Sequence, residues 1–291
     1  MQKLSVVLAT FNEEKNLTDC LESVKGLADE IVIVDGSSRD STVEIAKKFG
    51  AKVHVTDNPP IFHINKQKAL ELAKNEWILQ LDADERISHP LKNEIIKILN
   101  LTEKELEDYE AKIPQRKLFE RHQKLIEKRD GKIGTQGPYV AFFIPRLNYF
   151  LGKYLRYGGV YPDGVIRLIK KNKSHFPCVS VHEQIAVNGK VGWLQNPLYH
   201  KDSPTFRRYL ERNKRYINLI IKDFQSANLQ PNIFNSIKYL LVLPLYWLIL
   251  TFIRHKGFLD SWQGFVFSFF SALRFPRAYL KYLKISDKII R

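Results

Sequence analysis

Over the first 85 residues the apolar positions switch between two periods. Short unbroken apolar runs at 4–9 (LSVVLA), 31–34 (IVIV), 53–55 and 77–81 (WILQL) predict β-strands. Helical spacing at 16–24, 41–49 and 64–73 separates them. Strands alternating with helices of this length predict a parallel sheet with crossover connections, and runs without strict alternation predict strands buried on both faces. No internal repeat is visible. The expected class is α/β, a Rossmann-like, mostly parallel sheet flanked by helices over residues 1–200. A second, helical region is expected over 201–291.

That second region carries the two longest apolar stretches, 239–253 (YLLVLPLYWLILTFI) and 261–273 (SWQGFVFSFFSAL), separated by Arg254-His255-Lys256. A spanning helix needs about 20 apolar residues. The first stretch has 15 uncharged residues with Pro244 among them and the second has 13, so neither makes a comfortable span. Aromatic, apolar segments flanked by cations predict helices that lie in or dip into a membrane interface.

Charge sharpens this reading. The chain of 291 residues carries 46 Lys and Arg against 31 Asp and Glu, a net +15. Residues 201–291 hold 16 of those cations and 5 of the anions, so +11 lies there and only +4 in the first 200 residues. Nucleic acid would account for the cations but not for the apolar run between them, and an anionic membrane surface accounts for both. No nucleic-acid partner is expected. Two cysteines, Cys20 and Cys178, are too few for a disulfide framework and fit a reducing compartment. The opening MQKLSVVLATFNEE has acidic residues where a signal peptide needs an apolar core. The expected location is the cytoplasmic face of the membrane, with peripheral or monotopic attachment.

Polar residues gather at the carboxyl ends of the predicted strands, the edge at which open α/β sheets bind ligands. Strand one runs into Thr10-Phe11-Asn12-Glu13-Glu14, strand two into Asp35-Gly36-Ser37-Ser38, and strand four into Asp82-Ala83-Asp84-Glu85. One such aspartate is commonly a helix cap; three polar ends converging on one edge point to a site. Asp82 and Asp84, two apart, can offer oxygens to a hard divalent cation such as Mn²⁺ or Mg²⁺, which would also hold a diphosphate.

MQKLSVVLATFNEEKNL, IVIVDGSSRDST and WILQLDADE together resemble the family 2 glycosyltransferases of the GT-A fold. PRLNYFLGKYLRYGGVYPDGVIRLIKK, VHEQI, NPLYH and the GFLDxxxGF pattern at 257–265 are similar to the lipopolysaccharide core β-glucosyltransferase subgroup. The resemblance covers most of the chain. It implies a metal-dependent, inverting transfer of a hexose from a nucleotide sugar, UDP-linked, to a lipid-borne glycan acceptor. Thr10, Asn12, Glu13, Asp35 and Ser37 would line the donor pocket, with Lys66 as a phosphate contact and Asp82 near the ribose and the metal. Asp84 would be the direct metal ligand and His200 a further one. Glu183, in His182-Glu183, would take the acceptor proton, with Asp163 as the rival carboxylate; many relatives have Glu-Asp at the place of His182-Glu183. Arg146, Arg167 and His182 are candidates for contact with acceptor or diphosphate anions.

The departure from the family pattern is 101–137, a densely charged segment interrupted by Pro114; it is open to reading as a mobile lid or an acceptor-side arm, and the favoured expectation is a solvated helical hairpin. Two other readings stand beside the transferase: transfer to polyprenyl phosphate, and a non-catalytic basic adaptor for membrane or nucleic acid. Intact Asp35, Asp82 and Asp84 oppose the adaptor.

Overall fold

The computed structural model describes residues 2–134, 136–179 and 184–290. The chain divides into two compact units, Met1–Leu147 with Pro162–His200, and Asn148–Tyr161 with Lys201–Arg291.

In the first unit β1 (Leu4–Thr10), β2 (Glu30–Asp35), β3 (Lys52–Val55) and β4 (Trp77–Leu81) alternate with α1 (Glu14–Ser23), α2 (Thr42–Lys48) and α3 (His63–Leu72). All four strands run parallel, in the order β3-β2-β1-β4. Successive strand residues face opposite sides, so the full burial of Val6, Val7 and Leu8 means that both faces of β1 are covered. This is the doubly covered, Rossmann-like half expected of a GT-A fold, and the strand bounds follow the apolar runs closely.

Beyond β4 the sheet turns antiparallel. The chain continues through β5 (Glu85–Ile87), α4 (His89–Leu99), α5 (Glu103–Ala111), α6 (Arg116–Asp130), β6 (Tyr139–Phe150), β7 (Lys153–Leu155), β8 (Asp163–Lys170), β9 (Ser174–His175), β10 (Ala186–Val187), β11 (Lys190–Trp193) and β12 (Leu198–Ser203). The strand order goes on from β4 as β8-β6-β12-β5, with β4–β8, β8–β6 and β12–β5 antiparallel and β11 parallel to β6. Thus β12 and β5 bring the residues after the Asp82–Glu85 turn beside His200, which pairs in register with Glu85.

Helices α5 and α6 correct the expectation of a solvated hairpin. A capping box at Thr102 and Glu105 starts α5, and the chain breaks around Pro114 as predicted. Yet Leu106, Tyr109, Phe119 and Ile126 are buried, and Phe119 stacks on Trp193 of β11 at 4.7 Å. The hairpin is docked because these few apolar residues share one face, although charged neighbours dominate its composition.

The second unit holds β7, paired antiparallel with the end of β6, and a set of helices. In α7 (Phe206–Ser226), Ile217, Ile221 and Phe224 recur at helical spacing and pack on Ala278, Tyr279 and Tyr282 of the helix Arg274–Ile290. A helix of 22 residues, Ile233–Arg254, is long and apolar enough to cross a membrane. The expectation of a shorter segment differs because the helix begins before Lys238, on Ile233 and Phe234. Pro244 does not end it: the turn before it, Lys238–Val242, widens to π geometry, which accommodates the missing N–H, and a second π turn follows at Ile249–Arg254. A tight turn, Gly257–Asp260, then returns the chain into the helix Ser261–Ala272. The turn requires its glycines, since a Cβ on Gly264 would stand 1.9 Å from the Gly257 carbonyl. The Asp260 carboxylate accepts the backbone N–H groups of Arg156 and Tyr157 at 2.9 and 2.8 Å.

Candidate active site

The loops after β1 and β2 form one hydrogen-bonded wall of the first unit. Asp35 is fully buried, and its carboxylate accepts from Thr10 Oγ1 at 2.8 Å, from the Ser38 hydroxyl at 2.7 Å and from the Ser38 N–H at 2.7 Å. Asn12 donates its backbone N–H to Ser38 Oγ and accepts from the Arg39 N–H. The Glu13 N–H is received by Thr42, the Glu13 carboxylate accepts from Asn16, and Ser37 donates to the Thr56 carbonyl. Asn12 and Ser37 both adopt positive φ, 56° and 63°. Non-glycine residues rarely do so, and such strain gathers where a chain must present groups to a ligand.

Where β4 ends, six charged side chains interlock. Asp82 lies 2.5 Å from Lys66 Nζ and 2.6 Å from Arg167 Nη2. Arg167 also donates to Glu85 at 2.8 Å and to Gln80, while Arg146 joins Glu85 at 3.3 Å to Asp163 at 2.7 Å. Glu85 is entirely buried, which only its two guanidinium partners make tolerable. Burial alone would push the Asp82 carboxyl up, but Arg167 and Lys66 outweigh it and hold it well below the usual carboxylate range. Lys66 is buried on the inner face of α3, so it is no solvated helix cation.

Asp84, two residues after Asp82, lies 3.5 Å from His200 Nε2, an approach that the β12–β5 pairing makes possible. Among the described residues no three His, Cys, Asp or Glu side chains converge on one point. A carboxylate and an imidazole side by side nonetheless suit a divalent cation whose remaining positions go to water and phosphate oxygens. Asp82, engaged by two cations, does not complete that set in this arrangement.

The structure therefore brings together Lys66, Asp82, Asp84, Arg146, Asp163, Arg167 and His200 on one side of the sheet edge, and Thr10, Asn12, Glu13, Asp35 and Ser37 in the adjoining loops. His182 and Glu183 lie outside the described residues. Three participants were not anticipated. Glu85 and Gln80 complete the ion-pair cluster, and the only sequence signal for Glu85 was its place directly after the two aspartates. His122, in α6, accepts the Gly164 N–H at 3.0 Å next to Asp163, and its charged hairpin gave no hint of this role. Gly164 is required there, since a Cβ would meet the Trp193 ring at 2.3 Å.

The parallel sheet thus ends in Asp82-Ala83-Asp84 beside a buried cationic cluster. Residues 5–161, more than half of the chain, match the model of glycosyl transferase family 2, and the chain belongs to that family. A glycosyltransferase of Rickettsia typhi is 27% identical over 300 residues, spanning 99% of this chain and 90% of its own. A glycosyltransferase of Rickettsia felis is 41% identical over 96 residues, 33% of either chain. The lipopolysaccharide core biosynthesis glycosyltransferase LpsC of Rhizobium meliloti is 24% identical over 288 residues, 93% of this chain and 91% of its own. Among solved structures, glucosyl-3-phosphoglycerate synthase from Mycobacterium tuberculosis, in complex with Mn²⁺, uridine diphosphate and its product, matches 34% of this chain and 40% of its own at 24% identity and a TM-score of 0.30, a local likeness only.

Proposed function

We propose that this glycosyltransferase moves a hexose from a UDP-linked donor, with inversion, to a lipid-borne glycan such as lipopolysaccharide core. The reaction would take place at the cytoplasmic face of the membrane. The observation that carries the reading is the Asp84–His200 pair, 3.5 Å apart, beside the buried Lys66–Asp82–Arg167 cluster. Anionic and cationic ligand groups side by side suit a metal-bound diphosphate. The LpsC relative, similar along most of both chains, supports the acceptor class.

In this reading Thr10, Asn12, Glu13, Asp35 and Ser37 hold the nucleoside, through a wall whose own hydrogen bonds fix it before the donor arrives. Asp82 faces the ribose. Lys66 and Arg167, already gathered around Asp82, are within reach of the diphosphate and stabilise it electrostatically in a site poor in water. Asp84 and His200 would hold Mn²⁺ or Mg²⁺, which when bound supplies Lewis-acid neutralisation of the leaving diphosphate. Glu183 takes the acceptor hydroxyl proton, and His182 lies beside it in sequence. Asp163 is the weaker candidate because its carboxylate is already engaged by Arg146 at 2.7 Å. The basic second unit attaches the enzyme to an anionic bilayer, so that enzyme and lipid-borne acceptor share one surface.

A panel of nucleotide sugars with Mn²⁺, read by thermal melting, tests the donor side. UDP-hexoses should raise the melting temperature only when the metal is present. Stabilisation by no member of the panel would overturn the reading.

A further inference from the structure

The second unit leaves an apolar surface without any protein partner among the described residues. Along the helix Ile233–Arg254, the exposed large residues are Phe234, Ile237, Leu241, Leu245, Ile249 and Ile253, with Ile233, Val242 and Tyr246 beside them. Steps of three and four residues place them in one stripe along one face. Beyond the turn, Phe258, Leu259, Trp262, Phe265 and Phe269 are also exposed, and Phe252 touches both Phe258 and Phe265, which makes the two surfaces continuous.

The opposite face of the helix is covered. Tyr239 stacks on Tyr279 at 5.4 Å, and Trp247 meets Phe275 at 5.7 Å. The helix Arg274–Ile290 therefore runs along the middle of Ile233–Arg254, bringing its cations to that level. The Arg274 guanidinium lies 5.9 Å over the Trp247 ring, and Arg277, between the two contact residues, is exposed. Trp247 is close to the centre of the uncharged run 239–253. If this helix crossed a bilayer, both guanidinium groups would sit near mid-membrane depth, which is strongly unfavourable.

Resting on the attachment reading above, we propose that Ile233–Arg254 lies flat in one leaflet of an anionic bilayer and does not cross it. The stripe from Phe234 to Ile253 and the side chains of Phe258, Leu259 and Trp262 enter the headgroup–acyl boundary. Lys238, Arg254 and Lys256, all exposed, meet anionic headgroups at its margin. The choice of occupant follows from charge: 16 cations against 5 anions in 201–291 fit an anionic lipid surface and oppose pairing of this face with a second copy of the same basic chain.

Nitroxide labels placed singly at Leu241→Cys, Leu245→Cys, Ile249→Cys and Ile253→Cys, in full-length protein carrying Cys178→Ser, test this on phosphatidylglycerol–phosphatidylcholine vesicles. Cys20 is buried and stays in place. Depth is read from collision rates with oxygen against a water-soluble nickel chelate. All four positions should report one shallow depth, about 5–10 Å below the phosphates. A profile deepest at Leu245 and about 12 Å shallower at Ile253 means a crossing helix and overturns the proposal while leaving attachment intact. Labels that stay in water while the vesicles sediment without protein overturn attachment as well, as does a dimer that buries them without lipid. Melting with UDP-hexose and Mn²⁺ on the same samples reports the transferase reading separately. As a second variant, Leu245→Asp with Ile249→Asp should reduce vesicle binding at least tenfold without changing that melting shift; unchanged binding counts against the stripe.

Discussion

Arg167 Nη2 lies 2.6 Å from Asp82 and 2.8 Å from Glu85, two carboxylates more than 80 residues away in the chain. One guanidinium thus holds together the end of β4, the start of β5 and the body of β8. Removing it leaves Glu85 buried with only Arg146, at 3.3 Å, as counter-ion. Arg167→Gln should cost about 3 kcal/mol of stability in urea unfolding. Arg167→Lys should recover only part, because an ammonium cannot reproduce the forked contact to both carboxylates and Gln80. A loss below about 1 kcal/mol for both variants would mean that the cluster contributes little to the fold.

The Asp84–His200 pair predicts a division of labour that melting can separate from turnover. Asp84→Asn should abolish the Mn²⁺-dependent part of UDP-sugar stabilisation, since a neutral amide is a poor ligand for a hard cation. His200→Ala should leave that stabilisation attainable but shift it to at least tenfold higher metal concentration. Lys66→Met should weaken nucleotide binding with or without metal if, as proposed, Lys66 contacts the diphosphate rather than the metal. Full activity of wild-type enzyme in excess chelator would be incompatible with this scheme.

The docked hairpin carries two groups of opposite pH dependence. Burial pushes the Glu110 carboxyl up to about 7, against the Trp193 N–H that it accepts and the nearby charge of Arg116, while Glu120 and Glu94 add to the rise. A carboxyl raised by folding is protonated in the folded chain where the unfolded chain is ionised. Stability from this group therefore falls as pH rises from about 4.5 to 7, by at most about 3 kcal/mol. Burial lowers the His122 imidazole, which Asp163 opposes and Arg129 and Arg146 reinforce. Its neutral ring must accept from Gly164, so its contribution is lost as pH falls below about 6.5. Glu110→Gln should make melting temperature rise more steeply with pH, and His122→Gln should make it rise less. Identical profiles for wild type and both variants would show that neither group is linked to folding.

The parallel half of the sheet was legible because each strand is a short apolar run and each crossover a helix, so local periods report it directly. The placement of Thr10–Glu14 and Asp35–Ser38 in adjoining loops was legible for the same reason: these polar residues stand directly after those strands. What lay hidden depends on distant partners. Lys66 and a solvated helix lysine look alike in sequence, and it is Asp82, 16 positions further on, that makes burial of the Lys66 ammonium tolerable, with Arg167 on the same carboxylate opposing it. Nor does the sequence show that Arg146 of β6 and Arg167 of β8 meet at the same carboxylate, Glu85, since only the pairing of β6 with β8 brings them together. Docking of the hairpin is hidden in the sequence because its buried apolar residues, among them Leu106, Tyr109, Ile113, Phe119 and Ile126, are diluted by charge. The helix from Ile233 was judged too short because Lys238 interrupts the uncharged run while leaving the helix itself intact.

Docking of that hairpin can be checked by its anchor. Phe119 is 1% exposed and stacks on Trp193, whose other neighbour is Phe143 at 4.5 Å. Phe119→Ala should cost about 3–5 kcal/mol, the usual range for a buried aromatic. A solvated hairpin would lose almost nothing.

The choice of base lies between Glu183 and Asp163, and the contacts of Asp163 bear on it. Asp163 is held by Arg146 at 2.7 Å and adjoins the Gly164–His122 contact, so its charge already has a structural use. Replacing it should disturb the end of β8 and the ion-pair cluster together. Asp163→Asn is therefore expected to lower the melting temperature and to reduce turnover only in proportion to the folded fraction. Glu183→Gln should leave melting and UDP-hexose binding unchanged while slowing transfer roughly a hundredfold or more, because the acceptor proton then lacks its carboxylate. The two variants differ most clearly in the pH dependence of kcat. The wild-type acid limb should persist in Asp163→Asn and vanish in Glu183→Gln. If the limb vanishes in Asp163→Asn instead, the ion-paired aspartate is the base, and Arg146 serves to tune it.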